Sequence, residues 1–153
     1  MTKSKNLGNA GEFYVLAQLA QRGYIAGKTD DGQTLIDVIA TDDETLRTVN
    51  IQVKATSDYD KIPSWIMSKK NEQVHETLWY VLVEVKDEIE MPNFYIYHSS
   101  EIGPWLKNDH AYWLNIPKRN GEQRKDTNMR RFRPTTEELD KHKDNWEKMF
   151  KEE

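Results

Sequence analysis

Two stretches of the sequence place charged or polar residues inside an apolar β-strand pattern: Leu35-Ile36-Asp37-Val38-Ile39 and Ile51-Gln52-Val53-Lys54. An unpaired carboxylate or ammonium is costly to bury, so such residues are rare inside apolar strands unless they are paired or bind a metal. Side chains alternate between the two faces of a strand, so Gln52 and Lys54 point the same way. A polar turn separates the two stretches and folds the first beside the second. This hairpin predicts that Asp37, Gln52 and Lys54 share one patch.

The rest of the chain alternates helical and strand patterns. The predicted helices are Gly8–Arg22, with Phe13, Leu16, Ala17 and Ala20 on its apolar face, then Ser68–Glu76, Glu101–Lys107, and a last helix that begins at the capping box Thr135-Thr136-Glu137-Glu138. The predicted strands are Tyr24–Lys28, Leu35–Thr41, Thr48–Thr56, Trp79–Val85, Phe94–Tyr97 and Tyr112–Ile116. Predicted turns lie at Asp31-Gly32 and Asp42-Asp43-Glu44.

This order of elements predicts an α/β fold, with a mixed central β-sheet flanked by helices. A C-terminal amphipathic helix is expected to carry Leu139, Trp146, Met149 and Phe150 on one face. The chain has no repeat, low-complexity tract or linker, so residues 1–153 are expected to form a single domain.

The composition narrows the class of protein. The chain has no Cys, which excludes disulfides and thiolate zinc sites and suits a reducing compartment. No signal peptide is visible in Met1–Asn6, and the longest apolar run, Trp79–Val83, is far too short to span a bilayer. We therefore expect a cytoplasmic protein with no membrane partner.

The order Asp37, hairpin, Gln52-Val53-Lys54 resembles the motif of the PD-(D/E)XK nuclease superfamily, in its variant with Gln at the second acidic position. The segment Gly8-Asn9-Ala10-Gly11-Glu12-Phe13 is similar to the first helix of resolvase-like and Mrr-type restriction members, which place a glutamate there. The resemblance covers about residues 8–85, and residues 86–153 would add strands and a helix. It implies a restriction endonuclease-like fold. No proline precedes Asp37, a part of the motif that is loose in this superfamily.

The resemblance also implies a chemistry. Asp37, Glu12, Gln52 and the backbone carbonyl of Val53 would hold Mg²⁺, for which Mn²⁺ would substitute, because hard cations prefer oxygen ligands. Lys54 would position and help deprotonate the attacking water and offset phosphate charge in the transition state. The implied activity is a metal-dependent endodeoxyribonuclease. Many members cut two strands as dimers, so a homodimer is implied in the same way.

Charge is unevenly distributed along this chain, whose net charge is −4. Basic residues outnumber acidic ones between Lys118 and Arg133, and such a stretch either contacts phosphates or forms a solvated loop. The candidate nucleic-acid-binding residues are Lys118, Arg119, Arg130, Arg131 and Arg133. The sequence does not distinguish DNA from RNA.

Each candidate also has a structural interpretation. Glu12 could complement a helix N-terminus, Asp37 and Lys54 could form a cross-strand pair, and Gln52 could be a bonded core amide. Gln52 brings no negative charge, so a catalytically inactive nuclease-like module that binds nucleic acid or a protein partner stays open as an alternative. An interaction protein that uses the aromatic C-terminal segment is a third possibility. The four histidines show no ligand spacing and are predicted to be non-catalytic.

Overall fold

The computed structural model describes residues 4–30, 35–57, 62–87 and 90–151, with the side chains of residues 4 and 5 excepted. The α-helices are α1 (Ser4–Gln21), α2 (Ser99–Asn115) and α3 (Thr136–His142). The strands are β1 (Ile25–Lys28), β2 (Val38–Thr41), β3 (Thr48–Ser57), β4 (Trp65–Ser68), β5 (Leu78–Val85), β6 (Asn93–His98) and β7 (Met129–Phe132). Short 3-10 helices cover Lys69–Glu72 and Trp146–Phe150. The predicted Asp31-Gly32 turn lies outside the described residues.

The main sheet has five strands in the order β1-β2-β3-β5-β6. β3 and β5 are parallel, whereas the other neighbouring pairs are antiparallel, so the sheet is mixed as predicted. The hairpin of β2 and β3 is confirmed, with Val38 opposite Ile51. β4 and β7 form a separate antiparallel pair, which we call the ribbon. The ribbon was not predicted from the sequence.

The two faces of the main sheet contact different hydrophobic cores. On one face, Val15 and Leu19 of α1 pack over Val53 and its neighbours on β3 and β5. On the other face, Tyr80 and Leu82 pack with Trp65 of the ribbon and with residues of α2. Because side chains alternate along β3, the residues that flank Val53 face the second core. This face of the sheet is where the candidate site lies.

A glycine sets the distance between α1 and the sheet. A Cβ atom built at Gly11 would lie 2.9 Å from the Cβ of Ala55 and 3.5 Å from Cγ1 of Val53. Only glycine therefore allows α1 to pack so closely on β3. The buried face of α1 includes Gly11, Val15 and Leu19. Of the predicted apolar residues, Leu16 packs against the first core, whereas Phe13 is 61% exposed and Ala17 and Ala20 are exposed, so most of the predicted face was wrong.

Other predicted elements differ from the structure in their extent. The predicted strand Tyr112–Ile116 is wrong, because residues 112–115 form the last turn of α2. The helix predicted over Ser68–Glu76 is only the 3-10 helix Lys69–Glu72. None of the helices in the described parts of the chain has the length and apolar character that a membrane crossing requires.

The predicted C-terminal helix is divided into two short helices. Its start is confirmed, because the Thr135 side chain accepts a hydrogen bond from the Glu138 backbone N–H at 3.2 Å. The helix ends at His142, and Asp144 adopts a left-handed φ of 56°. Leu139 packs in the second core, whereas Trp146, Met149 and Phe150 pack in the first. The break lets one segment reach both faces of the sheet.

Candidate active site

Asp37 is anchored to β3 by both its backbone and its side chain. Its backbone N–H donates to the Ile51 carbonyl at 2.9 Å, and its Oδ2 accepts from the Val53 backbone N–H at 2.8 Å. Val38, the first residue of β2, is the ladder partner of Ile51, so the Asp37 carboxylate extends the contact with β3 just before β2 begins. This bond holds the Asp37 carboxylate at the edge of β3, next to the residues of the predicted motif.

Lys54 lies half-buried on the same part of β3. Burial disfavours its charged ammonium, and although the Asp37 carboxylate opposes this effect, the pKa of Lys54 is held below its usual value. The electrostatic effect of Asp37 also contributes to raising the pKa of Tyr80, after the larger contribution of burial. The structure therefore brings Asp37 and Lys54 together, as the sequence predicted.

Gln52 belongs to a buried hydrogen-bond network. Its Oε1 accepts from Nδ2 of Asn71 at 2.8 Å, and the same Nδ2 donates to the Tyr80 hydroxyl at 3.0 Å. Asn71 in turn accepts from the Ser68 backbone N–H at 2.8 Å through its Oδ1. Gln52 is 9% exposed and Asn71 is 1% exposed. Gln52 is thus a hydrogen-bonded core amide, as one of the two interpretations predicted. It still lies on the same face of β3 as Lys54.

The network fixes the orientation of the Gln52 amide. A backbone N–H is always a donor, so the atom of Asn71 that faces Ser68 must be the oxygen. The Nδ2 of Asn71 is then the atom that faces Gln52, which must present its own oxygen. An amide oxygen has two lone pairs, so Oε1 of Gln52 has the capacity for a second partner.

Glu12 lies half-buried on α1, directly after Gly11. The contact of Gly11 with Ala55 places this turn of α1 level with Lys54 along β3 but on the opposite face of the sheet, to which Val53 and Ala55 point. Whether the Glu12 carboxylate joins Asp37 stays a prediction. No group of three His, Cys, Asp or Glu side chains that could hold a metal occurs in the described parts of the chain. A metal here would depend on the two carboxylates together with amide and backbone oxygens.

Asn71 and Tyr80 are the residues of this site that the sequence did not reveal. The place of Asn71 in the predicted helix Ser68–Glu76 suits a solvated helix face or contact with a DNA backbone, and its burial contradicts both. Tyr80 lies opposite Gln52 in the parallel pair of β3 and β5. The local bond to Ser68 marks Asn71 only as a cap of the 3-10 helix, and both residues come near Gln52 through the tertiary fold. The loop residues Asp58, Tyr59 and Asp60 follow the motif in sequence, where they could line a substrate cleft, and they lie outside the described residues.

The candidate nucleic-acid-binding residues divide into two groups. The prediction that Arg130 binds nucleic acid is wrong, because this side chain is 5% exposed. Its Nε donates to the Glu72 carboxylate at 2.7 Å, so Arg130 anchors β7 to the rest of the fold. Lys118, Arg119 and Arg133 are exposed, and Arg131 is half-buried with a 2.9 Å bond to the Ser64 hydroxyl. For these four residues, contact with nucleic acid stays a prediction.

The histidines and tryptophans make structural contacts. Both ring nitrogens of His142 face acceptors, the Glu138 carbonyl at 2.7 Å and the Glu101 carboxylate at 2.6 Å. Burial alone would lower the pKa of His142, but these bonds outweigh it and raise that pKa. Trp65 is fully buried, with its Nε1 donating to the Val83 carbonyl at 3.1 Å. It is a core residue and is not a platform for bases.

Comparisons with known proteins bear on the fold of the chain. No family model matches the chain, and no curated protein matches it in sequence. Among solved structures, it is similar to a bacterial homing endonuclease, I-Ssp6803I, with a TM-score of 0.56 and 12% identity over 97% of this chain and 92% of that one. At this identity the likeness shows the fold alone. The chain has a nuclease-like α/β fold, as predicted, and membership of the PD-(D/E)XK superfamily stays a prediction.

Proposed function

We propose that this chain is a metal-dependent endonuclease that cleaves DNA, with its active site at Asp37, Lys54, Gln52 and Glu12. The main observation is the half-buried Lys54, whose pKa is lowered beside the Asp37 carboxylate. A lysine that is costly to bury has little structural reason to occupy this strand. Its position in a fold shared with a homing endonuclease favours a catalytic role.

The side chains present suit Mg²⁺ as the cofactor. Carboxylate, amide and carbonyl oxygens are the ligands that this ion prefers, and Asp37, Glu12, Gln52 and the Val53 carbonyl would supply them. A bound Mg²⁺ would polarise the phosphoryl oxygen and lower the pKa of a coordinated water. The Val53 N–H holds the Asp37 carboxylate in place, and Asn71 holds the Gln52 oxygen in a fixed direction.

Lys54 would act as the proton-transfer and charge-stabilising group. Its lowered pKa increases the fraction of neutral amine at a given pH, and a neutral amine is able to accept a proton from the attacking water. In its protonated form, the same group offsets negative charge on the phosphate as the transition state forms. The electrostatic attraction of Asp37 opposes this fall in the pKa of Lys54.

A module that binds DNA without cleaving it is the second candidate. The observation that favours it is the bond from Asn71 to Gln52, because Oε1 already has one buried partner and carries no charge. This alternative predicts DNA binding that is indifferent to chelators and to Asp37→Asn.

Nicking of supercoiled plasmid with Mg²⁺ or Mn²⁺ tests the proposal. Asp37→Asn keeps an acceptor for the Val53 N–H and Lys54→Met keeps the length of the side chain, so both variants should fold. Matched controls are Asp43→Asn and Lys107→Met, whose side chains are exposed. We expect nicking by the wild type and both controls, and a loss of at least about 100-fold in the two site variants. Equal nicking by all five proteins, or none with either metal, would refute the proposal.

A further inference from the structure

The ribbon presents two distinct faces. Along β4 and β7 burial alternates, so that one face packs into the second core through Trp65, Met67, Arg130 and Phe132. The residues of the opposite face, which we call the outer face, are Ile66, Ser68, Met129 and Arg131. Ile66 lies opposite Arg131 and Ser68 opposite Met129. The outer face is therefore a compact square of two apolar, one hydroxyl and one cationic side chain.

The outer face exposes more apolar surface than the fold requires. Ile66 is 58% exposed and Met129 is 61% exposed, and they are diagonal neighbours on adjacent strands. Single exposed apolar residues are common on protein surfaces. Ile66 and Met129 instead lie together on two paired strands, and Arg131 of β7 lies directly opposite Ile66. A cluster of this kind is typical of a contact surface.

The ribbon is held firmly from behind. Arg130 bonds to Glu72 at 2.7 Å and to the Thr127 carbonyl at 2.7 Å, and the Lys69 backbone N–H donates to the Asn128 carbonyl at 3.0 Å. On the outer face, Arg131 is oriented by its bond to Ser64. A guanidinium has five N–H donors, so Arg131 is able to contact this hydroxyl and a phosphate together. The surface is thus ordered before any partner binds.

Charge indicates the chemistry of that partner. The whole chain has a net charge of −4, yet exposed cations adjoin the ribbon in sequence: Lys118, Arg119, Lys125 and Arg133. Arg130, Arg131 and Arg133 also line a cleft of about 190 Å³ beside α2, together with Asp109, whose carboxylate is 3.8 Å from Arg133. This excess of arginines on an acidic protein fits a polyanion. The apolar pair of the outer face needs a partner that also offers apolar edges, which DNA bases provide and a bare phosphate does not.

We infer that the outer face of the ribbon enters the major groove of duplex DNA, with Ile66 and Met129 against base edges and Arg131 on the backbone. A two-stranded ribbon is narrow enough for this groove in B-form DNA, whereas the major groove of duplex RNA is too deep and narrow to admit it. The inference rests on the proposed function for the choice of DNA. The ribbon also adjoins the candidate site, because Ser68 at the end of β4 donates to Asn71, which bonds to Gln52.

Binding measured without cleavage tests the inference. Fluorescence anisotropy with a labelled mixed-sequence DNA duplex in EDTA would compare the wild type with Ile66→Glu, Met129→Glu and Arg131→Ala. Leu46→Glu is the matched control, since Leu46 is 75% exposed in the turn between β2 and β3. We expect about tenfold weaker binding for the two glutamate variants and no change for the control. Arg131→Ala should lower the salt dependence by about one unit of slope.

The outcomes separate this inference from the proposed function. Ribbon variants that bind DNA as tightly as Leu46→Glu would overturn the inference, even if the wild type nicks plasmid. Equal affinity of the wild type for duplex DNA and duplex RNA would overturn it as well. Conversely, ribbon-dependent DNA binding by a wild type that never nicks plasmid would support the inference and refute catalysis. Ile66, Met129 and Leu46 are exposed and Arg131 is half-buried, so circular dichroism would verify that each variant keeps the fold.

Discussion

Substitution of Asn71 by alanine gives the sharpest test of the buried network. The side chain is 1% exposed and bonds to the Ser68 N–H, the Gln52 oxygen and the Tyr80 hydroxyl. Leaving one buried polar group unpaired costs about 1–3 kcal/mol, and Asn71→Ala deprives more than one group of its partner. Because neighbouring losses are not additive, we expect a decrease of about 2–4 kcal/mol in the free energy of unfolding.

The matched control is Asn50→Ala. Asn50 lies on the same strand as Gln52, but its amide makes one solvent-exposed bond, to the Thr77 hydroxyl at 3.1 Å. Its loss should cost less than about 1 kcal/mol. Urea unfolding followed by tryptophan fluorescence would give both values. Equal midpoints for the two variants would refute the argument that the Asn71 network is buried and satisfied.

A second substitution separates stability from function at the same position. Asn71→Asp keeps the acceptor for Ser68 but places an oxygen opposite the Gln52 oxygen, so the Gln52 amide must rotate and turn its oxygen away. We expect plasmid nicking to fall by about tenfold or more at a temperature where the variant is folded. Unchanged nicking would mean that the orientation of the Gln52 amide is irrelevant to catalysis.

Three further predictions concern other parts of the fold. Gly11→Ala should lower the free energy of unfolding by about 1–3 kcal/mol, because its Cβ would meet Ala55 at 2.9 Å, whereas Gly8→Ala, with no neighbour within 4 Å, should raise it by up to about 1 kcal/mol in the same denaturation assay. Lys54→Met should raise the thermal midpoint at pH 7, because the lowered pKa of Lys54 means that its charged form is disfavoured in the folded state. As the pH rises from this lowered pKa towards 10.5, the wild type should gain stability and the variant should not. Because the pKa of His142 is raised in the folded state, its contribution to stability should be fully present below about pH 6.5 and lost as the pH rises through the pKa of the folded state. The urea midpoint of His142→Gln should lack this decline, whereas that of the exposed control His75→Gln should keep it.

The central hairpin was predictable because its signals are local. Alternation along β3 assigned the faces of Gln52 and Lys54, and the turn before β3 specified which strand would lie beside it. The start of α3 followed from the oxygen of Thr135. Glu12 was correctly assigned to a helix, but the rotation of that helix about its axis was not predicted: Gly11 contacts the sheet, whereas Phe13 is exposed.

The ribbon and Asn71 were not predictable because their partners are distant in sequence. β4 and β7 have four residues each, and Trp65 pairs with Phe132, which lies 67 residues later in the sequence. Arg130 looked like one charge among many in a basic stretch, yet its burial depends on Glu72. Tyr112–Ile116 was misassigned because its apolar residues are consecutive, although His110 and Leu106 extend the helical period before them.

The broken segment at residues 136–150 has a consequence for how a nascent chain acquires its shape. Phe150 stacks on Tyr24 with ring centroids 4.0 Å apart, and the Met149 carbonyl accepts from the Arg47 side chain at 3.1 Å. Elements that are translated early are thus covered by residues that are translated much later. On a ribosome stalled before Trp146, the nascent chain would expose apolar surface to which chaperones bind. Folding can therefore be completed only after this segment has been synthesised.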